Sequence, residues 1–281
     1  MTILKYVPAA LLAAIAVPAA AQEEPPKPIT VSGSVTLASD YRLRGVSQTD
    51  KEGAIQGGVT VTHESGLYVG TWASNLAGWG TFGGSNMELD LFAGYSTEVS
   101  PGVTVDAGLT WYMYPGGLSK TDFAEPYVKV SGALGPANLL VGVAYAPKQE
   151  AIGEWYDGGA DYATGIPTRP GKKNDNLYIW TDGNVGIPST PLTLKGHVGF
   201  SKGNPGLGPN GTSPAPTGEY MDWLVGADFA VPSTPLTLSV AYVDTNISKR
   251  DSAYLQPNFS STKNGSSIAG STVVFSLSAA F

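Results

Sequence analysis

The sequence predicts an all-β fold: a transmembrane antiparallel up-and-down β-barrel of about 12 strands with short periplasmic turns and long extracellular loops. Three observations predict it. Apolar and polar residues alternate with a period of two in repeated segments, the connections between those segments are short and long by turns, and the chain opens with an export leader.

The leader sets the compartment. Lys5 is the sole charge before an apolar run from Tyr6 to Pro18, and Ala19, Ala20 and Ala21 supply the small-residue pattern that signal peptidase cleaves. The run is too short to cross a bilayer as a helix, which takes about 20 apolar residues. Residues 1–21 are therefore expected to be a signal peptide, 22–28 a periplasmic N-terminal segment and 29–281 an outer-membrane barrel. Cysteine is absent, which excludes a lipoprotein anchor, a disulfide framework and a thiolate metal site.

Composition agrees with an all-β reading. Beyond Ala21 no stretch is apolar enough for a membrane helix, whereas the chain has 36 Gly, 14 Tyr and 6 Trp against 16 Lys plus Arg. Removing Lys5 leaves 15 basic and 23 acidic residues, a net charge of 15 minus 23, or −8, which disfavours nucleic acid as a partner.

On a strand, successive side chains point to opposite faces, so alternation identifies both strand and face. Val273, Phe275, Leu277, Ala279 and Phe281 form one apolar row. Val103, Val105, Ala107, Leu109, Trp111 and Met113 form another against Thr104, Asp106, Gly108, Thr110, Tyr112 and Tyr114. Twelve segments of this kind lie near 30–41, 54–63, 67–75, 86–97, 103–114, 123–132, 137–147, 176–186, 191–201, 219–230, 235–245 and 271–281. Most have the roughly 9–11 residues that a tilted membrane strand requires. Tight connections at 63–66, 99–102, 134–136, 188–190 and 231–234 alternate with long ones at 42–53, 76–85, 115–122, 148–175, 202–218 and 246–270. That asymmetry, an even strand number and both ends on one side describe a bacterial outer-membrane barrel; a soluble β-sandwich predicts neither the short and long alternation nor the terminal aromatic Phe281.

One string repeats. Pro-Ser-Thr-Pro-Leu-Thr-Leu stands at 188–194 and again at 232–238, each time entering a strand, where proline is tolerated because a turn needs no ladder donor. Tyr41, Trp72, Trp111, Tyr114, Tyr145, Tyr220, Trp223 and Tyr242 fall near strand ends, where a membrane interface favours amphipathic rings.

Particular strings carry a family resemblance. The run Asp40-Tyr-Arg-Leu-Arg-Gly-Val-Ser-Gln-Thr-Asp50, then Ala54-Ile-Gln-Gly-Gly58, His63-Glu-Ser-Gly-Leu-Tyr-Val-Gly70 with Trp72, and Glu88-Leu-Asp-Leu-Phe-Ala-Gly-Tyr95 resemble the TorF-type porin family of Gram-negative outer membranes. The likeness is specific over the first hundred residues and looser beyond. It implies a barrel and a pore, and supplies no catalytic or binding residues.

Chemistry finds little purchase. The two histidines, His63 and His197, fall on different strands at different heights, and nothing in the sequence brings a nucleophile or carboxylate to either, so the protein is expected not to be an enzyme. The acidic run Glu150, Glu154, Asp157 and Asp161 offers hard oxygen ligands in no recognised calcium spacing, and a solvated loop explains it equally; no cofactor is expected.

The face opposite the apolar rows would line the lumen with Asp40, Arg42, Arg44, Glu88, Asp90, Asp106, Glu125, Lys129, Asp182, Lys195, His197, Asp222 and Asp228. Eight are carboxylates and four are Lys or Arg, so a conducting lumen would weakly prefer cations. Glu88, Asp90 and Asp106, on adjacent strands, are expected to share one patch. Two functions stay open: passive diffusion of small hydrophilic solutes, or a closed barrel whose loops serve as scaffold or adhesin. Either implies outer-membrane lipid and the barrel-assembly machinery as partners.

Overall fold

A computed structural model describes residues 28–256 and 259–281. The expected signal peptide and nearly all of the expected periplasmic segment lie outside the described residues. Twelve strands close one antiparallel barrel: β1 (Ile29–Ala38), β4 (Ala54–His63), β5 (Leu67–Asn75), β6 (Met87–Ser100), β7 (Val103–Met113), β8 (Phe123–Leu134), β9 (Ala137–Gln149), β10 (Asn174–Gly186), β11 (Leu192–Lys202), β12 (Glu219–Ala230), β13 (Leu236–Thr245) and β14 (Thr272–Ala280). Each pairs with its neighbours in chain order, and β1 closes on β14. Two strands of two residues each, β2 (Arg42–Leu43) and β3 (Val46–Ser47), form a hairpin inside the first long connection. Short helices α1 (Gly159–Ala163) and α2 (Lys249–Leu255) lie in the fourth and sixth; Ser248 and Asp251 cap α2 reciprocally.

The alternation sorts the side chains as expected. Apolar residues of every strand point away from the lumen and stay exposed, among them Val35, Ile55, Val69, Leu91, Trp111, Val128, Val141, Ile179, Leu194, Val225, Val240 and Phe275. A closed barrel satisfies every backbone group between its own strands, so such a belt faces hydrocarbon at no polar cost. The chain is thus a transmembrane barrel of the outer-membrane type.

The two inner turns carrying the repeated string are superimposable in their bonding. Ile187 N–H bonds Leu192 and Thr190 N–H bonds Ile187; Val231 N–H bonds Leu236 and Thr234 N–H bonds Val231. The hydroxyls of Thr190 and Thr234 each donate 2.9 Å to the carbonyl three residues back. The repeat is one turn used twice, with Ser189 and Ser233 both at positive φ.

The seam is the shortest ladder. β1 meets β4 along its whole length, Ile29–Ala38 against His63–Ala54, but meets β14 only from Ser34 to Ala38, against Ala280 to Ser276. Gly33 and Phe281 exchange backbone bonds of 2.9 and 3.0 Å just beyond it, and Thr36 and Ser278 link their hydroxyls at 2.8 Å.

Candidate functional site

At the outer end, where the long connections gather, the chain folds back on itself. Val46 from the first connection, Trp79 from the second, Tyr156 from the fourth, Leu207 and Ala215 from the fifth, and Ile247, Leu255, Phe259, Ile268 and Ala269 from the sixth pack with Tyr220 into one buried apolar cluster. A second cluster of Tyr41, Leu76, Phe82, Tyr112, Tyr114, Phe123 and Ile152 sits beside it. Stacked rings knit that cluster: Phe82 on Tyr114 at 4.4 Å and Tyr112 on Phe123 at 4.6 Å. These loops form a roof over the outer mouth. A void of about 20 Å³, room for one water, remains between Leu43, Val46, Trp79, Phe82 and Tyr220.

The β2–β3 hairpin runs under the roof and across the lumen. Its tip, Arg44-Gly45, meets β8 and β10, the sixth and eighth strands of the ring counted from β1; the seventh lies diametrically opposite β1. Arg44 Nη2 donates 2.6 Å to Glu125 Oε2 on β8, and the guanidinium carbon lies 4.1 Å from the centre of the Tyr178 ring on β10. The Tyr220 hydroxyl donates 3.1 Å to the Arg44 carbonyl. Burial works against the Arg44 charge, but Glu125 together with Tyr112 and Tyr178 more than reverses this and raises its pKa, so the guanidinium stays ionised.

Local geometry shapes that tip. Arg44 has φ of 49° and Gly45 of 78°; a side chain at 45 would run into Thr245 and within 3.0 Å of Asp222 Cβ, so only glycine fits. The hairpin is tied down at its base. Arg42 donates Nε to Asp40 at 2.6 Å and Nη1 to the carbonyls of Gly45 and Ile268 at 2.9 Å, and Asp40 accepts from Ser47 at 2.6 Å.

Asp40, Arg42 and Arg44 are therefore not wall residues. β1 ends at Ala38 rather than continuing to 41, because Tyr41 turns inward, packs edge-on against Trp72 at 5.3 Å and donates to Glu88 Oε1 at 3.1 Å. Arg42 and Arg44 belong to the hairpin, and Asp40 stands just before it and is bonded to it through Arg42 and Ser47.

The other ten residues do stand on barrel strands and point inward. Glu88, Asp90 and Glu125 lie at the outer end beneath the hairpin, and one carboxylate oxygen of each is buried with no hydrogen-bond partner: Glu88 Oε2, Asp90 Oδ1 and Glu125 Oε1. Burial pushes the neighbouring Tyr41 and Tyr114 phenols well up, and Glu88 and Asp90 push in the same direction. Asp106 is not part of this patch. Asp90 pairs with Tyr112, and Asp106 stands six residues down β7, about 20 Å along the strand.

Lower down, the wall groups pair with each other. Lys129 Nζ lies 3.1 Å from Asp106, and Lys195 Nζ 2.5 Å from Asp228. The Tyr68 hydroxyl donates 2.6 Å to Asp106 and lies 2.5 Å from that of Tyr127, three strands away, across glycine positions at 94 and 108 where a Cβ would strike the phenols. His197 has the partners that the sequence did not reveal: Nδ1 is 2.6 Å from Asp182 and Nε2 is 3.1 Å from Asp222, with the Tyr178 hydroxyl at 2.8 Å. Asp182 sits directly opposite His197 on the neighbouring strand. No serine hydroxyl bonds this imidazole, and among the described residues no group of His, Asp or Glu is arranged to hold a metal.

Selecting lumen residues by charge missed the rings. Tyr68, Tyr112, Tyr127 and Tyr178 occupy the same parity as the charged residues, and that parity was the available signal. Three of the ring residues expected at the membrane interface, Tyr41, Tyr114 and Tyr220, are instead buried in the roof, whereas Trp111, Tyr145 and Tyr242 face outward as expected. Three of the loop's four acids are paired with cations: Arg169 bonds Glu154 and Asp157, Lys172 bonds Glu154 at 2.6 Å, and Lys120 of the third connection bonds Glu150 at 2.6 Å; Asp161 accepts from the Thr168 hydroxyl and the Asp157 N–H.

Residues 22–281 match the family described as "Bacterial protein of unknown function (Gcw_chp)", and the chain belongs to that family. The TorF name rests on the resemblance alone. No curated protein sequence matches. Solved structures with a related shape include one from work on in-meso crystallisation of membrane proteins (TM-score 0.49, 10% identity, 89% of this chain and 83% of that one). Others are a porin refined at 1.8 Å (0.42, 9%, 90% and 100%) and the outer membrane channel DcaP of Acinetobacter baumannii (0.40, 11%, 90% and 97%). These likenesses are of general shape and carry no functional argument.

Proposed function

We propose that the protein is an outer-membrane channel for small hydrophilic solutes, weakly cation-preferring, that rests with its outer mouth closed by its own hairpin and roof. It acts by diffusion rather than catalysis, with membrane lipid around it and the barrel-assembly machinery needed to insert it. One observation supports the reading: charged side chains line the lumen wall from the outer end to the inner, as they line a water-filled path. Wall residues alone contribute seven carboxylates against two lysines and His197, and the hairpin with the preceding Asp40 adds one carboxylate and two arginines. Moving the hairpin aside would therefore sharpen the preference for cations as well as widen the path.

A second reading has its own support. The roof is a continuous apolar core drawn from five of the six long connections, which favours a permanently closed barrel whose loops present a surface. Planar-bilayer recordings separate the two. Replacing residues 40–52 with a short turn is expected to raise the single-channel conductance severalfold over the unaltered protein and to move the reversal potential in a salt gradient toward the cation value. A heat-modifiable barrel that still passes no current after the deletion would leave only the scaffold.

A further inference from the structure

The seat that Arg44 occupies is built by the wall, not by the hairpin. Tyr178 supplies a flat ring face from β10, Glu125 a carboxylate from β8, and Tyr112 a hydroxyl from β7 that reaches the same Glu125 oxygen at 3.4 Å. All three remain when the hairpin leaves. The fit of Arg44 to this seat is incomplete. Its guanidinium bonds a single oxygen of Glu125, and the other, Oε1, is buried without a partner, although a carboxylate and a guanidinium at full complementarity share two parallel bonds. Two further buried oxygens, on Glu88 and Asp90, are also unpartnered, and Asp90 is the cross-strand neighbour of Tyr112. Arg44 reaches the seat from a backbone at φ 49°, a conformation that a non-glycine residue adopts only under constraint. A guanidinium free of that tether can turn to face both Glu125 oxygens while stacking on Tyr178, a combination that a compact ammonium does not offer.

We propose that the lumen wall carries a guanidinium-binding site at Glu125 and Tyr178, that Arg44 fills it as a built-in stand-in while the barrel is closed, and that solutes with a free guanidinium group compete for it. Displacement of Arg44 by such a solute would release the hairpin tip from the far wall, so the ligand would favour its own passage. That last step rests on the channel reading; the site itself does not.

Binding and conductance therefore test them separately. The chain folded in detergent is titrated calorimetrically with free arginine, with citrulline as the uncharged isostere and lysine as the ammonium analogue. Arg44→Gln is expected to bind arginine at least tenfold more tightly than the unaltered protein and at least tenfold more tightly than it binds lysine or citrulline. Adding Glu125→Gln should remove at least tenfold of that affinity. No arginine binding by Arg44→Gln, binding indifferent to Glu125→Gln, or equal binding of lysine overturns the site. If Arg44→Gln yields no heat-modifiable barrel, Arg44→Lys is titrated under the same criteria. In bilayers, arginine added at both faces should raise the open time of the unaltered protein and citrulline should not. Arginine binding with no current from any variant would sink the channel while sparing the site, and current through Arg44→Gln without arginine binding would do the reverse.

Discussion

The two ends of this barrel are built on opposite plans. At the inner end, five turns join neighbouring strands, and the bonds that shape the paired turns at Ser189 and Ser233 span only three to five residues. At the outer end, Phe259 packs edge-on against Trp79, 180 positions earlier in the chain, at 4.7 Å, and Thr262 N–H bonds Asp50 at 3.0 Å. Local geometry closes one end, and a small non-local core closes the other. The difference teaches that wall and roof are separable: the wall is held by a ladder, the roof by apolar packing that the ladder does not supply.

Damage to one should therefore spare the other. The largest effect is expected from Phe259→Ala, a fully buried ring whose loss costs about 3–5 kcal/mol in a close-packed site. The cost should fall on the roof. Protease added to reconstituted vesicles should cut 150–173 faster, while urea unfolding of the barrel stays put; a large fall in the urea midpoint would show that roof and wall are one cooperative unit. Val225→Arg tests the other half. This side chain is two-thirds exposed at the middle of β12, facing the hydrocarbon, where arginine costs about 2–4 kcal/mol. Barrel stability in lipid should drop by that amount, with proteolysis of the roof loops unchanged. The smallest effect belongs to the rim. Lys202 and Glu219 lie 4.0 Å apart and mostly in water, so Lys202→Ala should alter stability by less than about 0.5 kcal/mol, and a larger change would mean that the outer rim of β11 does more than flank the roof.

The same division explains what the sequence made legible. Segments 54–63, 67–75 and 219–230 match β4, β5 and β12 at both ends, because alternation is read from neighbours and each strand obeys it alone. The alternation failed at β1, where it continues to Tyr41 although the strand stops at Ala38; what turns the chain inward is a contact with Trp72 and Glu88, residues far along the sequence. A local trace of the hairpin existed in Arg44-Gly45, a two-residue connection with glycine second. What no pattern disclosed was its depth, since the seat at Glu125 and Tyr178 is assembled from residues 81 and 134 positions beyond Arg44. His197 shows the same limit: its parity was readable, but the second carboxylate, Asp222, comes from the next hairpin along and becomes a partner only when β12 has paired with β11.

The short seam between β1 and β14 sets the timetable of assembly. Thr36 and Ser278 are 242 positions apart, so no segment short of the whole wall can hide both of its edge strands. A chain halted anywhere before β14 presents two open rows of backbone donors and acceptors to whatever lies nearby. Closure also joins the two ends of the wall across the longest sequence separation of any ladder and returns the fewest ladder pairs in the barrel, so it is expected to come last in folding and to open first when the barrel is strained.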